Sequence, residues 1–82
     1  MKQAKYFTAS WCGPCKLFKP IIKELIDEGY PIEILDIDTN ESLARELNIR
    51  SVPTTIIFSD GVEVERFMGA KKKELIETKL GE

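Results

Sequence analysis

The sequence predicts an α/β fold in the order β-α-β-α-β-β-α, with a four-stranded mixed sheet flanked by helices. Three observations predict it. Short strand-like stretches alternate with segments whose apolar residues recur at helical spacing. The first two strands are joined through a helix, which requires them to be parallel, with a right-handed crossover. The last two strands are joined by Asp60-Gly61, a two-residue signal for an antiparallel hairpin.

The elements follow in order. "AKYFT" (4–8) sets Ala4 and Tyr6 against Lys5 and Phe7 and reads as a short strand. After Cys12, the residues Leu17, Phe18, Ile21, Ile22, Leu25 and Ile26 mark one helix face, which Gly29 ends. Pro20 lies inside that helix and lacks the amide that would bond the Lys16 carbonyl, so a kink is expected. "IEILDID" (32–38) reads as a buried strand. "TNESLAREL" (39–47) reads as a short helix capped by Thr39 or Asn40, with Leu43, Ala44 and Leu47 inward. "TTIIFS" (54–59) and "VEVERFM" (62–68) are the hairpin. "KKKELIETKL" (71–80) closes the chain as a helix with Leu75, Ile76 and Leu80 inward.

At 82 residues, one domain spanning 1–82 is expected. There is no apolar run of membrane-spanning length and no signal-peptide core, so a reducing, cytoplasmic compartment is the expectation. Net charge is −2, unevenly spread. Residues 1–23 carry five lysines and no acid, while residues 24–46 carry eight acids and only Arg45 as a base. An acidic chain without arginine–aromatic clustering argues against nucleic-acid binding.

Both cysteines lie in "WCGPC" (11–15), where the first strand gives way to the first helix. A structural zinc site wants four ligands. Two cysteines without a histidine do not supply them, so no metal is expected. A structural staple closing so short a loop would remove only ~2 kcal/mol of unfolded-state entropy, and such disulfides are unusual in a reducing compartment. The redox reading suits the placement better. A thiolate at a helix N-terminus meets unpaired amides and the positive end of the helix dipole, which lowers a cysteine pKa in Cys-x-x-Cys motifs. Lys16 and Lys19 add positive potential. Pro14 suits the first turn of a helix, and Gly13 leaves room for another chain to approach Cys12.

These residues resemble the thioredoxin family. "WCGPCK" (11–16) is similar to its active-site motif, Pro20 to its helix-kinking proline, "IRSVPTTIIF" (49–58) to its cis-proline segment, and "SDGVEVERFMGA" (59–70) to the hairpin ending in its groove glycine. The resemblance covers roughly residues 4 to 80 and implies a compact thioredoxin fold without the family's N-terminal strand and helix. It further implies a protein-disulfide reductase, with Cys12 the exposed attacking thiolate and Cys15 the shielded resolving thiol. A cis Val52–Pro53 bond would turn the Val52 backbone toward the cysteines. Trp11, Gly13, Pro14, Val52, Pro53, Gly69 and Ala70 would form the substrate groove. No organic cofactor is implied, because the disulfide carries the electrons. The implied partners are disulfide-containing proteins, a thioredoxin-reductase-type flavoenzyme as electron donor and, by family analogy, ribonucleotide reductase. The protein is expected to be a monomer serving cytoplasmic electron transport and redox homeostasis.

Two positions depart from the family pattern. Tyr6 stands where the family has a buried aspartate, and Ile34 where it often has a lysine. The proton exchange of Cys15 must then involve water or the Tyr6 hydroxyl. The consecutive Lys71, Lys72 and Lys73 suggest a basic rim that steers acidic partners. Two alternatives stay open at this stage. One is a glutaredoxin-like, glutathione-dependent enzyme, although the glutathione-binding stretch expected near "MGAKKK" is not visible. The other is a thioredoxin-fold binding module without turnover.

Overall fold

The computed structural model describes residues 1–81. The elements are β1 (Lys2–Thr8), α1 (Gly13–Asp27), β2 (Ile32–Asp36), α2 (Glu41–Glu46), β3 (Thr54–Ser59), β4 (Val62–Met68) and α3 (Lys73–Gly81). The sheet order is β2-β1-β3-β4. β1 and β2 are parallel, with Tyr6 beside Ile34 and Thr8 beside Asp36. β3 runs antiparallel to both β1 and β4. The predicted architecture is therefore the observed one. Asp60 and Gly61 both have positive φ (51° and 86°), the pairing that a type I′ hairpin turn demands.

Strand alternation divides the core into two layers. On one face of the sheet Ala4, Tyr6, Ile32 and Ile57 pack against Phe18, Ile22 and Leu25 of α1 and Ile76 of α3. Tyr6 and Phe18 meet edge to face, with ring centroids 5.6 Å apart. On the other face Phe7, Leu35 and Ile56 are covered by Leu43 and Leu47 from α2 and its flanks, with Ile49 and Val52 beyond them.

Two boundaries, one cap and one facing differ from expectation. β1 begins at Lys2 because β3 is long enough to pair with it back to Ser59. β2 stops at Asp36, whose carboxylate accepts the Asp38 amide at 2.8 Å and turns the chain out of the sheet. Asn40 occupies the N-cap position of α2 but does not cap it; its side-chain amide donates instead to the Asp36 carbonyl at 2.9 Å. Leu17, expected inward, is 81% exposed. The buried positions of α1 are Cys15, Phe18, Ile22 and Leu25, and Leu17 lies off that stripe.

The lysine run also resolves differently. α3 starts only at Lys73, so Lys71 and Lys72 precede it. The Lys73 ammonium donates to both Glu24 and Glu28 of α1 at 2.5 Å. It is a clamp between two helices rather than part of a basic rim.

Candidate active site

The site forms where β1 ends and α1 begins. Cys12 is the N-cap of α1, a position usually held by Ser, Thr, Asp or Asn. Here the sulfur does the capping: the Cys15 amide donates to Cys12 Sγ at 3.2 Å. Pro14 occupies the first turn, where its missing N–H would have no intrahelical partner. No acidic residue lies in that turn, so the positive end of the helix is left to the sulfur. Cys12 and Cys15 are joined by a disulfide, their Cα atoms 5.2 Å apart.

Cys12 was expected to be exposed. In this disulfide state it is only 5% accessible, packed with Ala9, Ile37 and Val52. The reason is the capping geometry, which turns the sulfur back over the helix end. Cys15 is fully shielded, as expected, at 1%.

The second wall comes from the segment just before β3, whose start the antiparallel pairing sets beside the end of β1. The Val52–Pro53 bond is cis, and the Val52 carbonyl oxygen lies 3.6 Å from Cys12 Sγ. In the dithiol state the Cys12 thiol can donate to that carbonyl, and in the thiolate state the Cys15 amide supplies the compensating donor. Pro53 is buried, and its carbonyl accepts the Gly69 amide at 2.8 Å. Gly69 sits at φ +88°, a left-handed conformation that glycine adopts without strain. This bond ties the end of β4 to the loop facing the disulfide. Ala70 is exposed next to it, as are Gly13 and Pro14 on the helix side.

Trp11 is 65% exposed, so it is a surface wall rather than core. Its indole N–H donates to the Asp38 carboxylate at 3.1 Å, which holds the ring beside the disulfide. Asp38 follows β2 and was not singled out from the sequence. Only the parallel pairing of β1 with β2 brings the two residues together.

Tyr6 is buried beneath the disulfide on the α1 face of β1. Its hydroxyl donates to the backbone carbonyl of Cys15 at 3.4 Å. Burial pushes the phenol pKa up, only partly offset by a hydrogen bond from Thr8. A phenol so placed keeps its proton and buttresses the first turn of α1.

A cleft of about 250 Å³ opens between that turn and the sheet, lined by Thr8, Ser10, Cys15, Lys16, Lys19 and Asp36. Of these, Thr8, Ser10 and Asp36 were not marked by any motif. The available signal was alternation: Ala4, Tyr6 and Thr8 share a face of β1, and Ile32, Ile34 and Asp36 share the same face of β2. No group of His, Cys, Asp and Glu suited to a metal ion occurs among the described residues. Among the same residues, no helix is long and apolar enough to cross a membrane.

Known proteins resemble this chain closely. The family model described as Thioredoxin matches residues 5–82. A thioredoxin from Mycobacterium bovis is 40% identical over 79 residues, an alignment covering 93% of this chain and 68% of that protein. A Mycobacterium leprae protein named bifunctional thioredoxin reductase/thioredoxin is 44% identical over 70 residues, covering 82% of this chain and 15% of its own length. Among solved structures, thioredoxin from Fasciola hepatica superposes with a TM-score of 0.85 at 35% identity, covering 94% of this chain and 76% of that one. A mutant thioredoxin from Halobacterium salinarum gives a TM-score of 0.86 at 31% identity, covering 94% and 69%.

Proposed function

The chain belongs to the thioredoxin family, and on that footing we propose that Cys12 is its attacking thiolate and Cys15 its resolving thiol. The protein is a thiol-disulfide oxidoreductase of the protein-disulfide-reductase kind, working through the Cys12–Cys15 pair. The observation that carries the division of labour is the Cys15 amide donating to Cys12 Sγ at the N-terminus of α1. That donor and the helix dipole stabilise negative charge on Cys12 and not on Cys15, one turn further in.

The exchange then runs in two displacements. The Cys12 thiolate attacks one sulfur of a substrate disulfide; that S–S bond breaks, and the other substrate sulfur leaves as a thiolate that takes up a proton. Cys15 gives up its proton and attacks Cys12 Sγ, breaking the mixed disulfide and releasing the second substrate thiolate. Two electrons have passed to the substrate, and the Cys12–Cys15 disulfide has formed. The electrons are carried by the sulfurs themselves, with no organic cofactor or metal.

The substrate segment is proposed to lie extended between Trp11, Gly13 and Pro14 on one side and Val52, Pro53, Gly69 and Ala70 on the other. The exposed backbone near Val52 would pair with it in the manner of an added strand. Returning the pair to the dithiol needs a two-electron donor. A thioredoxin-reductase-type flavoenzyme is the proposed one, supported by the Mycobacterium leprae relative whose name joins the two activities. A cytoplasmic location, with a role in electron transport and redox homeostasis, fits the reducing environment that such a cycle needs. Ribonucleotide reductase remains a proposed target on family resemblance alone.

The test uses insulin as the disulfide substrate. Cys12→Ser is expected to abolish turnover, and Cys15→Ser to accumulate a mixed disulfide on Cys12, visible by mass spectrometry. A mixed disulfide trapped on Cys15 in the Cys12→Ser variant, with none on Cys12 in Cys15→Ser, would reverse the two roles.

A further inference from the structure

The first displacement needs no base if Cys12 is already a thiolate; the second does. Cys15 must lose a proton before it can attack, and it is buried. Tyr6 directs its hydroxyl to the Cys15 carbonyl and keeps its own proton, so it does not take the one from Cys15. The route must lie elsewhere, and the cleft of about 250 Å³ is the opening that Cys15 lines.

The cleft exists because of one step along the sheet. On the α1 face the paired residues of β1 and β2 run Ala4 with Ile32, Tyr6 with Ile34, then Thr8 with Asp36. The first two pairs fill the space under α1 with apolar groups. The third pair is short and polar, so the wedge between the sheet end and the first turns of α1 stays open, with polar residues beside Ala9 and Cys15 in its lining. A water molecule occupies ~30 Å³ in the liquid and needs polar partners. The cleft has room for several, and Thr8, Ser10, Lys16, Lys19 and Asp36 among its lining residues carry polar groups that can bind them.

We propose that this cleft is the proton route of Cys15, and that the Asp36 carboxylate, acting through water, accepts the proton when Cys15 attacks and returns one when the disulfide is reduced. The placement of Asp36 suits the role. One carboxylate oxygen accepts the Asp38 amide at 2.8 Å, which fixes the group at the end of β2, while the residue still borders the cleft. The ionisable groups around Cys15 come from three elements. Lys16 and Lys19 on α1 favour the thiolate, Asp36 on β2 supplies the acceptor, and Tyr6 on β1 stays neutral. β3 contributes nothing to the lining. The proton leaves Cys15 Sγ, crosses water to Asp36 and passes to bulk solvent, so the carboxylate is regenerated with each turnover. Asp36 acts through water and on the second displacement alone.

The inference rests on Cys15 as the resolving thiol, and the experiment separates the two claims. Reduced protein is mixed rapidly with an aromatic disulfide that releases a coloured thiolate at each displacement, giving two phases. Asp36→Asn retains an oxygen for the Asp38 amide. It is expected to slow the second phase roughly tenfold at neutral pH and leave the first unchanged. That is less than the ~10²–10⁴-fold from a base in direct contact, since water also takes protons. The deficit should shrink as pH rises past ~8.5, where free thiols ionise unaided. Asp36→Glu should recover most of the rate, and Thr8→Leu, which fills the cleft, should slow the second phase with Asp36 intact. A second phase with unaltered rate and pH profile in Asp36→Asn, or an unaltered one in Thr8→Leu, overturns the proton route while Cys15 keeps its role. A second phase that survives in Cys15→Ser overturns the resolving role itself, and the proton route with it.

Discussion

The buried hydroxyl of Tyr6 donates to the backbone carbonyl of Cys15 at 3.4 Å. This is a structural bond under the first turn of α1, made by a phenol whose pKa burial has raised. Tyr6→Phe is therefore expected to leave disulfide-exchange rates unchanged and to lower stability by about 1 kcal/mol, the usual net worth of a hydrogen bond. Stopped-flow exchange rates and a urea melt on the same sample check both halves.

Trp11 is held beside the disulfide by its bond to Asp38. Releasing it costs a protein substrate a preformed wall but leaves the sulfur chemistry alone. Asp38→Ala is expected to raise KM for a protein disulfide about two- to fivefold, the equivalent of ~0.5–1 kcal/mol. The rate with a small aromatic disulfide should not change. Tryptophan fluorescence should shift in the free protein, since Trp11 is the chain's one tryptophan.

At Gly69, an added Cβ would meet no atom within 4 Å, so the space is free, yet φ is +88°. Gly69→Ala is expected to destabilise through backbone conformation alone, by about 1–2 kcal/mol. For a domain of this size that lowers Tm by roughly 4–8 °C per kcal/mol. A thermal melt that shows no loss would mean the loop has relaxed away from Pro53, and the Gly69 amide would then exchange rapidly with deuterium.

Lys73 joins α3 to α1 through Glu24 and Glu28, and those two carboxylates raise its pKa. A raised folded-state pKa means the stabilisation is complete below the value of a free lysine, ~10.4, and fades as pH rises beyond it. Lys73→Gln is expected to speed amide exchange in α3 at neutral pH and to flatten the decline in stability of the native protein above that pH. Because the group is at the surface, added salt should narrow the difference between the two proteins.

Much of the fold could be read from the chain because its signals are local. The β-prone runs 54–59 and 62–68, the Asp60-Gly61 turn and the helical spacing through Leu25 each depend on a few neighbouring residues. Errors fell where a side chain had a second use. Asn40 turned from capping to the Asp36 carbonyl, Asp36 ended its own strand, and Lys73 left the basic run for two glutamates. Leu17 faces solvent because the buried stripe of α1 runs through Cys15, Phe18, Ile22 and Leu25 and Leu17 lies off it.

The sequence alone determined the chemistry: two thiols in Trp-Cys-Gly-Pro-Cys at a strand-to-helix junction specify dithiol exchange, since the spacing and the helix end are covalent and local facts. What surrounds those thiols was decided by tertiary structure. Val52 faces Cys12 from 40 residues away, Asp38 reaches Trp11 across 27, and Thr8 meets Asp36 through a parallel pairing. Such contacts depend on strand register and on how a helix sits over a sheet. Those are set by the packing of the whole core rather than by any stretch of chain that could be read on its own.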